Sequence, residues 1–363
     1  CRTRARPMHA VSSDLVHSLS QTWPPFVLIA GLLLIGTVAA SDGLFEAAGA
    51  AIARLPGGGL VLFVSMMTLV AAVTVVLNLD TSVVFLTPIL LHAARHRKID
   101  ETAFLYGAVF MSNSASLLLP GSNLTNLLVL ADTHTSGSEF AAHMLPAWVA
   151  AVVVTAVVIV IWRRRDWRQP PNRGDAERPS IRPGFGLVGL IAAFVLVLVL
   201  PNPAIPIVAT GVIVAGGQLV TGRVSLPTTG RAVNVPVLAG LFVLATALGT
   251  VARVWDGPGR LMASLGSWAT AWVGVGTASL INNLPAAVLL SSRPPAHPRA
   301  LLIGLDLGPN LVITGSLSAI FWIRVARSVR ATPSARTYTT VGAVLVPLSV
   351  AASLLALSAF SGG

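Results

Sequence analysis

Apolar stretches alternate with short polar ones along almost the whole chain. A helix needs about 20 mostly apolar residues to cross the hydrocarbon core of a bilayer. Stretches of this kind predict membrane spans near residues 24–40, 60–78, 145–162, 184–200, 205–219, 235–251, 261–280 and 338–360. The alternation indicates one polytopic membrane domain.

Two further regions, 78–130 and 280–323, are equally apolar but are interrupted by Asn, Asp, Ser, Gly and Pro. In lipid, a backbone amide or carbonyl without a partner costs several kcal/mol, so helix breaks persist only where protein or a polar cavity surrounds them. The first region has an amide-rich break at residues 78–80, and the second has one at residues 282–285. A break rich in Pro, Gly and Ser follows in each region.

The two halves of the chain therefore repeat one arrangement. Many transporters consist of two repeats of opposite topology whose broken helices meet near the bilayer midplane. We predict an all-α polytopic membrane protein of about ten spans with two inverted repeats, each containing broken helices or re-entrant hairpins. The predicted boundaries are a basic polar N-terminus (1–23), a first transporter repeat (24–162), an Arg-rich linker (163–183) and a second transporter repeat (184–363).

Composition supports a membrane location. Of the 363 residues, 54% are hydrophobic and 10% are charged, whereas a soluble domain usually has about 25% charged residues. The formal net charge is +11, and seven arginines lie in the segment 163–182. Because cytoplasmic loops are enriched in Lys and Arg, we predict a multi-pass protein of the bacterial inner membrane, surrounded by lipid, with its linker in the cytoplasm.

Several other classes of function lack support in the sequence. No basic patch interleaved with aromatic residues indicates a nucleic-acid partner. The single cysteine, Cys1, excludes an internal disulfide and a metal site built from several thiolates. The sequence contains no P-loop and no GxSxG motif. We therefore expect no cofactor and no metal ion.

The breaks supply neutral hydrogen-bonding groups for a substrate. Unwound segments also expose helix ends, which bind anions at N-termini and cations at C-termini. Such residues can alternatively hold helices together, but their occurrence in both halves favours a binding site. The candidate substrate-binding residues are Ser122, Asn123, Thr125, Asn126, Asn282, Asn283, Asn310, Thr314, Gly315 and Ser316.

Two carboxylates, Asp80 and Asp306, lie within apolar runs. An ionised carboxylate there costs at least about 2.5 to 3.5 kcal/mol. A buried carboxylate that binds and releases a proton can couple proton flow to transport, and this is the role that we predict for both. A capping or hydrogen-bonding role is the alternative for each.

Four segments carry a more specific pattern: NLDTSVVFLTPIL (78–90), SASLLLPGSNLTNLLVL (114–130), SLINNLPAAVLL (279–290) and LIGLDLGPNLVITGSLSAIFWI (302–323). In these segments the chain resembles the arsenite efflux permease family of the ion transporter superfamily. The resemblance extends over most of the chain from about residue 24. The family typically has further hydrophobic helices ahead of that point, and it tends to place Asn directly before Asp, whereas Leu79 separates Asn78 from Asp80 here.

The resemblance implies export of arsenite and antimonite from an inverted-repeat fold, driven by proton antiport or by a soluble partner ATPase. Whether the protein forms a homodimer is also left open by the sequence. The resemblance further implies that the substrate site is bordered by Ser122, Asn123 and Thr125 in one half and by Asn310, Thr314, Gly315 and Ser316 in the other.

Three alternatives stay open from the sequence. A sodium-coupled carrier of carboxylates or other anions, from the same superfamily, can use similar breaks. An intramembrane enzyme can use Asp80 and Asp306 as an acid/base pair. An inactive remnant of a transporter is the third alternative.

Overall fold

The computed structural model of the chain describes residues 8–131, 133, 135–168, 184–221, 230, 234–255 and 257–360. The Arg-rich linker predicted at 163–183 lies outside the described residues after Arg168. The described part of the chain is helical and contains no strand.

Sixteen α-helices and four short 3-10 helices make up the described structure. The first eight α-helices are α1 (Met8–Ser41), α2 (Leu44–Ala53), α3 (Gly59–Val76), α4 (Leu79–His96), α5 (Thr102–Ala115), α6 (Leu124–Val129), α7 (Gly137–Trp162) and α8 (Gly186–Val199). The remaining eight are α9 (Ala204–Val220), α10 (Val235–Val254), α11 (Gly257–Ser264), α12 (Ser267–Ile281), α13 (Asn283–Leu290), α14 (Pro298–Leu307), α15 (Leu317–Ser328) and α16 (Ala335–Phe360). The 3-10 helices are Pro120–Ser122, Asp166–Arg168, Gly308–Asn310 and Ile313–Gly315.

Five segments of these helices are long and apolar enough to cross a membrane: Ser18–Ser41, Gly59–Val76, Gly137–Trp162, Val235–Val254 and Ala335–Phe360. They coincide with five of the predicted spans. The predicted span 261–280 is instead divided between α11 and α12, because Gly266 is extended and caps a new helix. Helix α1 begins at Met8, inside the segment assigned from the sequence to a polar N-terminus.

One end of the molecule is rich in basic residues. Arg163, after α7, forms a salt bridge of 3.1 Å with Asp100, before α5. Arg95, near the end of α4, donates a hydrogen bond to the carbonyl of Val329, after α15. The Tyr106 hydroxyl donates to the carbonyl of Ser334, before α16. We call this end, formed by residues 95–106, 163–168 and 329–336, the basic end.

The opposite end collects the other helix termini. Thr135, Ser267, His297 and Ser358 all line the same cavity at this end. The start of α7, the start of α12, the start of α14 and the end of α16 therefore lie together. We call this end the opposite end.

These positions establish two inverted repeats. Helices α3 and α4 form a hairpin that enters from the basic end, and α12 and α13 form one that enters from the opposite end. The broken helix α5–α6 runs from the basic end and α14–α15 runs from the opposite end, each across the molecule. Helices α7 and α16 return, pack against each other and contain one proline each, Pro146 and Pro347. The predicted all-α fold with broken helices and re-entrant hairpins is confirmed.

The remaining helices form a scaffold around α1, which packs against α8, α9 and α10. A Cβ atom at Gly31 would lie 2.7 Å from the Cα of Val208, so α1 and α9 approach closely only because Gly31 has no side chain. At the basic end, the Asp42 carboxylate accepts hydrogen bonds from the Gly186 backbone amide, at 2.7 Å, and from the Gln218 side chain. Asp42 thus joins the ends of α1 and α9 to the start of α8.

Candidate functional site

Helices α4, α6, α13 and α15 each begin in the middle of the molecule, directly after a residue that caps the N-terminus of the helix. The side-chain oxygen of Asn78 accepts the Thr81 amide at 2.8 Å, and that of Asn123 accepts the Thr125 amide at 3.1 Å. In the second repeat, Asn282 accepts the Leu284 amide at 3.3 Å, and Ser316 accepts the Ala319 amide at 3.2 Å. Because the first turn of a helix leaves its amides without backbone partners, these caps stabilise helix starts in the middle of the molecule.

The capped helix starts meet between the repeats. Helix α4 of the first repeat packs against α15 of the second, and α6 of the first packs against α13 of the second. Helix N-termini carry a partial positive charge. Each pair therefore presents backbone amides and polar side chains at a contact between the two repeats.

Asp306 is the centre of one link between the repeats. It lies in the last turn of α14 and is only 1% exposed. The Asn123 side-chain amide donates to Asp306 Oδ1 at 2.8 Å, and Ser116 Oγ donates to Oδ2 at 3.3 Å. Both donors are neutral and belong to the first repeat, so break 1 (residues 116–123) holds a carboxylate of the second repeat.

A second link joins a helix of the first repeat to the break of the second. The Asn113 amide, near the end of α5, donates to Asn310 Oδ1 at 2.8 Å in break 2 (residues 308–316). The Tyr338 hydroxyl of α16 donates to the carbonyl of Pro309 at 2.9 Å. The Tyr338 bond satisfies a carbonyl that the unwound backbone leaves in the protein interior.

Side chains of the first repeat bond to the unwound backbone of break 1 and stabilise it. The Asn126 amide donates to the carbonyls of Ser116, at 2.8 Å, and Leu119, at 3.2 Å. Ser122 Oγ donates to the carbonyl of Val75 at 3.1 Å, which ties break 1 to the α3–α4 hairpin. Thr125 is buried and supplies the amide that Asn123 caps. The structure thus brings Asn123 to Asp306, while Asn126 and Ser122 bond to backbone of their own repeat.

Break 2 and the tip of the α12–α13 hairpin contain the remaining predicted residues. The Asn282 amide donates to the carbonyl of Thr314 at 3.1 Å, so the tip of the α12–α13 hairpin contacts the break. Asn283 is buried, whereas the Thr314 side chain is exposed. At Gly315, a Cβ atom would lie 2.8 Å from the Cα of Pro309, so this tight turn needs glycine.

Asp80 lies at a different place, in the first turn of α4. Ser318 Oγ of α15 donates to Asp80 Oδ1 at 2.5 Å. Asp80 also lines a cavity of about 260 Å³ between α1, α4, α10 and α15, together with Thr81, Leu317 and Asn234. Asp80 and Asp306 share no hydrogen-bond partner among the described residues.

Metal binding has no visible site in the described part of the chain. No group of three or more His, Cys, Asp or Glu residues is arranged there to hold a metal ion. The polar groups at the breaks are amides, hydroxyls and isolated carboxylates, which can bind and orient a small polar solute.

Comparison with known families decides the class of the protein. Residues 6–304 match the family model described as CitMHS, citrate transporter. The chain belongs to this family, within the ion transporter superfamily. It is an integral membrane transporter.

Individual relatives of this CitMHS chain carry more specific names. It is 27% identical over 337 residues to an arsenical pump membrane protein of Escherichia coli, covering 84% of this chain and 78% of the relative. It is 28% identical over 338 residues to the protein of the same name in strain K12, with the same coverage. An uncharacterised transporter of Mycobacterium tuberculosis is 23% identical over 376 residues, covering 94% of this chain and 87% of the relative. The resemblance to arsenite efflux permeases is confirmed.

A solved structure supports the fold of the CitMHS chain. The YdaH transporter of Alcanivorax borkumensis, described as having an unusual topology, superposes with a TM-score of 0.63. The match covers 99% of this chain and 90% of that one at 16% sequence identity. At this identity the likeness shows the architecture alone.

Sequence reasoning missed several residues of the CitMHS site. Asn113, Ser116 and Ser318 make direct contacts to candidate residues but were not among them. A signal existed for the first two, because the run Ser112–Ser116 places four polar side chains in an otherwise apolar helix. All four are fully buried. Ser318 had no such signal, because its importance depends on Asp80 in the other repeat.

Proposed function

We propose that this transporter is a secondary active carrier that exports arsenite and antimonite across the bacterial cytoplasmic membrane in exchange for protons. The observation that carries the proposal is the contact between Asn123 and Asp306, where a break of one repeat holds a buried carboxylate of the other. The relatives named arsenical pump membrane proteins support the choice of substrate.

The chemistry of the breaks favours an uncharged substrate. Arsenite at neutral pH is mostly a neutral trihydroxide, which needs hydrogen-bond donors and acceptors rather than a counter-charge. The segments 74–82, 113–126, 278–288 and 304–320 contain no Lys or Arg. A tricarboxylate such as citrate would bring several negative charges next to Asp306 or Asp80, where no cationic side chain of these segments offsets them.

Asp306 offers a physical route for proton coupling. An ionised carboxylate only accepts hydrogen bonds, whereas a protonated one also donates. In the structure Asn123 and Ser116 both donate to Asp306. Protonation of Oδ2 would reverse the bond to Ser116, whose hydroxyl also donates to the Asn113 carbonyl at 2.8 Å, and would therefore change how break 1 contacts α14. Asp80 adds a second titratable group beside a cavity.

Two cavities in equivalent positions of the two repeats differ in volume. The cavity at Asp80 has a volume of about 260 Å³ and includes Thr37, near the end of α1 that lies at the basic end. The equivalent position on the other side, between α1, α6, α10 and α13, holds a cavity of about 30 Å³ lined by Ser18 and Ser292.

A sodium-coupled carboxylate carrier is the second candidate, because the matched family model is described as a citrate transporter. The capped N-termini of α4 and α15 supply backbone amides that favour an anion. In this case sodium would have to offset the charge of the substrate. The partner ATPase and the homodimer stay predictions from the resemblance.

Transport by everted membrane vesicles tests both candidates. Everted vesicles from cells that express the chain should accumulate arsenite when the vesicle interior is more acidic than the medium. A protonophore should abolish the accumulation. Vesicles from cells without the chain and vesicles with Asp306→Asn are the controls. Citrate or succinate transport that requires sodium, without arsenite transport, would instead establish the second candidate. Absence of arsenite accumulation by correctly inserted protein would overturn the first.

A further inference from the structure

Asn113 and Asp306 occupy equivalent positions in the two repeats. Asn113 lies ten residues before Asn123, which caps the half-helix after break 1. Asp306 lies ten residues before Ser316, which caps the half-helix after break 2. Helices α5 and α14, which carry them, are the corresponding first halves of the two broken helices. The inverted architecture thus places an amide where its counterpart has a carboxylate.

Each of the two side chains also bonds to the break of the other repeat. Asp306 bonds to Asn123 in the break of the first repeat, and Asn113 bonds to Asn310 in the break of the second, each at 2.8 Å. Ser116 joins them, since its hydroxyl bonds to the Asn113 carbonyl at 2.8 Å and to Asp306 at 3.3 Å. Asn113 and Asp306 are each 1% exposed. The buried Asn113 Oδ1 has no hydrogen-bond partner among the described residues.

Few ionisable groups surround Asp306, whereas α5, which carries Asn113, also packs against α4, with Asp80 in its first turn, and against α7, with Glu139 in its first turn. The elements packed against α14 are α5, α6, α12, α13, α16 and break 2. Their titratable or charged side chains are Tyr106, which bonds to Ser334 at the basic end, Tyr338, which bonds to Pro309, and Arg336, in the first turn of α16 at the basic end. On α14 itself, Arg299 lies in the first turn, at the opposite end. Asp306 is therefore the only carboxylate in α14 and the elements packed against it, as far as the structure describes them.

We propose that Asn113 is the residue that limits this crossing of the two repeats to one titratable carboxylate and thereby sets the number of protons that the crossing contributes to each transport cycle. Asn and Asp have nearly the same shape, so an amide at this position keeps the hydrogen bond to Asn310 but carries no proton. Two carboxylates in one buried site titrate as a coupled pair and take up protons in two steps. The inference rests on the proposed proton exchange.

The contacts around Asn113 can also accommodate an aspartate at this position. Asn310 can turn its amide by half a rotation and donate to a carboxylate at position 113, because the two ends of an amide are similar in size. The Ser116 hydroxyl lies between the two positions and can serve either one. A carboxylate at residue 113 is therefore expected to accept a hydrogen bond from Asn310, as Asp306 accepts one from Asn123.

Four forms of the full-length chain test the proposal: the wild type, Asp306→Asn, Asn113→Asp and the exchanged double variant Asn113→Asp/Asp306→Asn. Proton uptake by purified protein is measured by titration, and solute flux is measured in proteoliposomes. Relative to the wild type, we expect about one proton fewer in Asp306→Asn, about one more in Asn113→Asp, and no change in the exchanged variant. Flux should fall at least about tenfold in Asp306→Asn and return to within about threefold of the wild type in the exchanged variant.

Asn202→Asp, which adds a carboxylate in the exposed turn between α8 and α9, is the matched control and should leave flux unchanged. The proposal is overturned if Asn113→Asp binds no additional proton, or if the exchanged variant is folded and as inactive as Asp306→Asn. Should the variants with aspartate at residue 113 not fold, the uptake difference between the wild type and Asp306→Asn is the second measurement, and equal uptake by the two would overturn the proposal because the crossing would then hold no titratable carboxylate. Proton counting needs no transported solute, so it distinguishes failure of this inference from failure of arsenite transport.

Discussion

Asn123 in the first repeat donates a hydrogen bond of 2.8 Å to Asp306 in the second, across 183 residues of sequence. Asp306 is almost completely buried, and its other hydrogen bond also comes from the first repeat, from Ser116. The carboxylate therefore belongs structurally to both repeats. Any change in its protonation must alter the contact through which they are joined.

Replacement of Asp306 by Asn should reduce proton-driven arsenite transport by at least about tenfold, because the side chain can no longer exchange a proton. The protein should still fold, since an amide can keep a hydrogen bond to Asn123. Transport in everted vesicles, with protein level and insertion checked in parallel, measures the effect. Asp100→Asn at the basic end is a control that should transport normally. Full proton-driven transport by Asp306→Asn would exclude Asp306 from coupling.

Replacement of Ser318 by Ala should affect Asp80 specifically. The Ser318 hydroxyl bonds to Asp80 Oδ1, and a hydrogen bond to a charged group contributes about 1.5 to 3 kcal/mol. We expect transport to fall by about tenfold to 150-fold and its pH profile to shift. The pH dependence of initial rates measures this change. Ser328→Ala, which removes an exposed hydroxyl of the same helix, is the control and should leave the pH profile unchanged. If Ser318→Ala has the same pH profile as Ser328→Ala, the role of Ser318 is contradicted.

Replacement of Tyr338 by Phe should destabilise break 2. It leaves the Pro309 carbonyl without its hydroxyl partner in the protein interior, which costs about 1 to 3 kcal/mol. We expect a lower melting temperature together with reduced transport, because Pro309 precedes Asn310 in the break. Tyr106→Phe is the matched control, since it removes a hydroxyl contact at the basic end. It should lower stability without a comparable loss of transport, and equal losses would argue against a special role for break 2.

Replacement of Gly342 by Ala should force α16 away from break 2. A Cβ atom at Gly342 would collide with the carbonyl oxygen of Asn310. Overpacking of this kind typically costs about 1 to 3 kcal/mol, and more where backbone is hit. Thermal unfolding of the purified protein measures the loss. Gly276→Ala is the control, because no other atom lies near its added methyl group, and a comparable loss in that variant would indicate a general effect of glycine replacement.

Much of the architecture was accessible from the sequence. The spans near 60–78, 145–162 and 338–360 were predicted close to α3, α7 and α16, because length and apolarity alone identify a membrane helix. The interrupted regions were also recognised as breaks, because polar residues in apolar runs need internal partners. The division of 261–280 into two helices was missed, since Gly266 looks like an ordinary small residue of a span.

The candidate site was accessible only in part. Asn123, Asn310 and Asp306 were selected because they are polar residues in apolar surroundings. Asn113 and Ser116 were overlooked, although the polar run that contains them is visible in the sequence. Local spacing could not reveal that Asn126 bonds to the backbone of its own break while Asn123 reaches the other repeat.

The sequence by itself determined that this protein crosses a membrane, where its helices break, and which side chains need partners at those breaks. These properties follow from local hydrophobicity and backbone hydrogen bonding, which depend on neighbours along the chain. Only the tertiary structure decided that Asp306 pairs with Asn123, that Asn113 pairs with Asn310, and that Asp80 lies apart beside a cavity. Such pairings join residues almost 200 positions apart, because the inverted packing of two repeats, rather than spacing in sequence, brings them into contact.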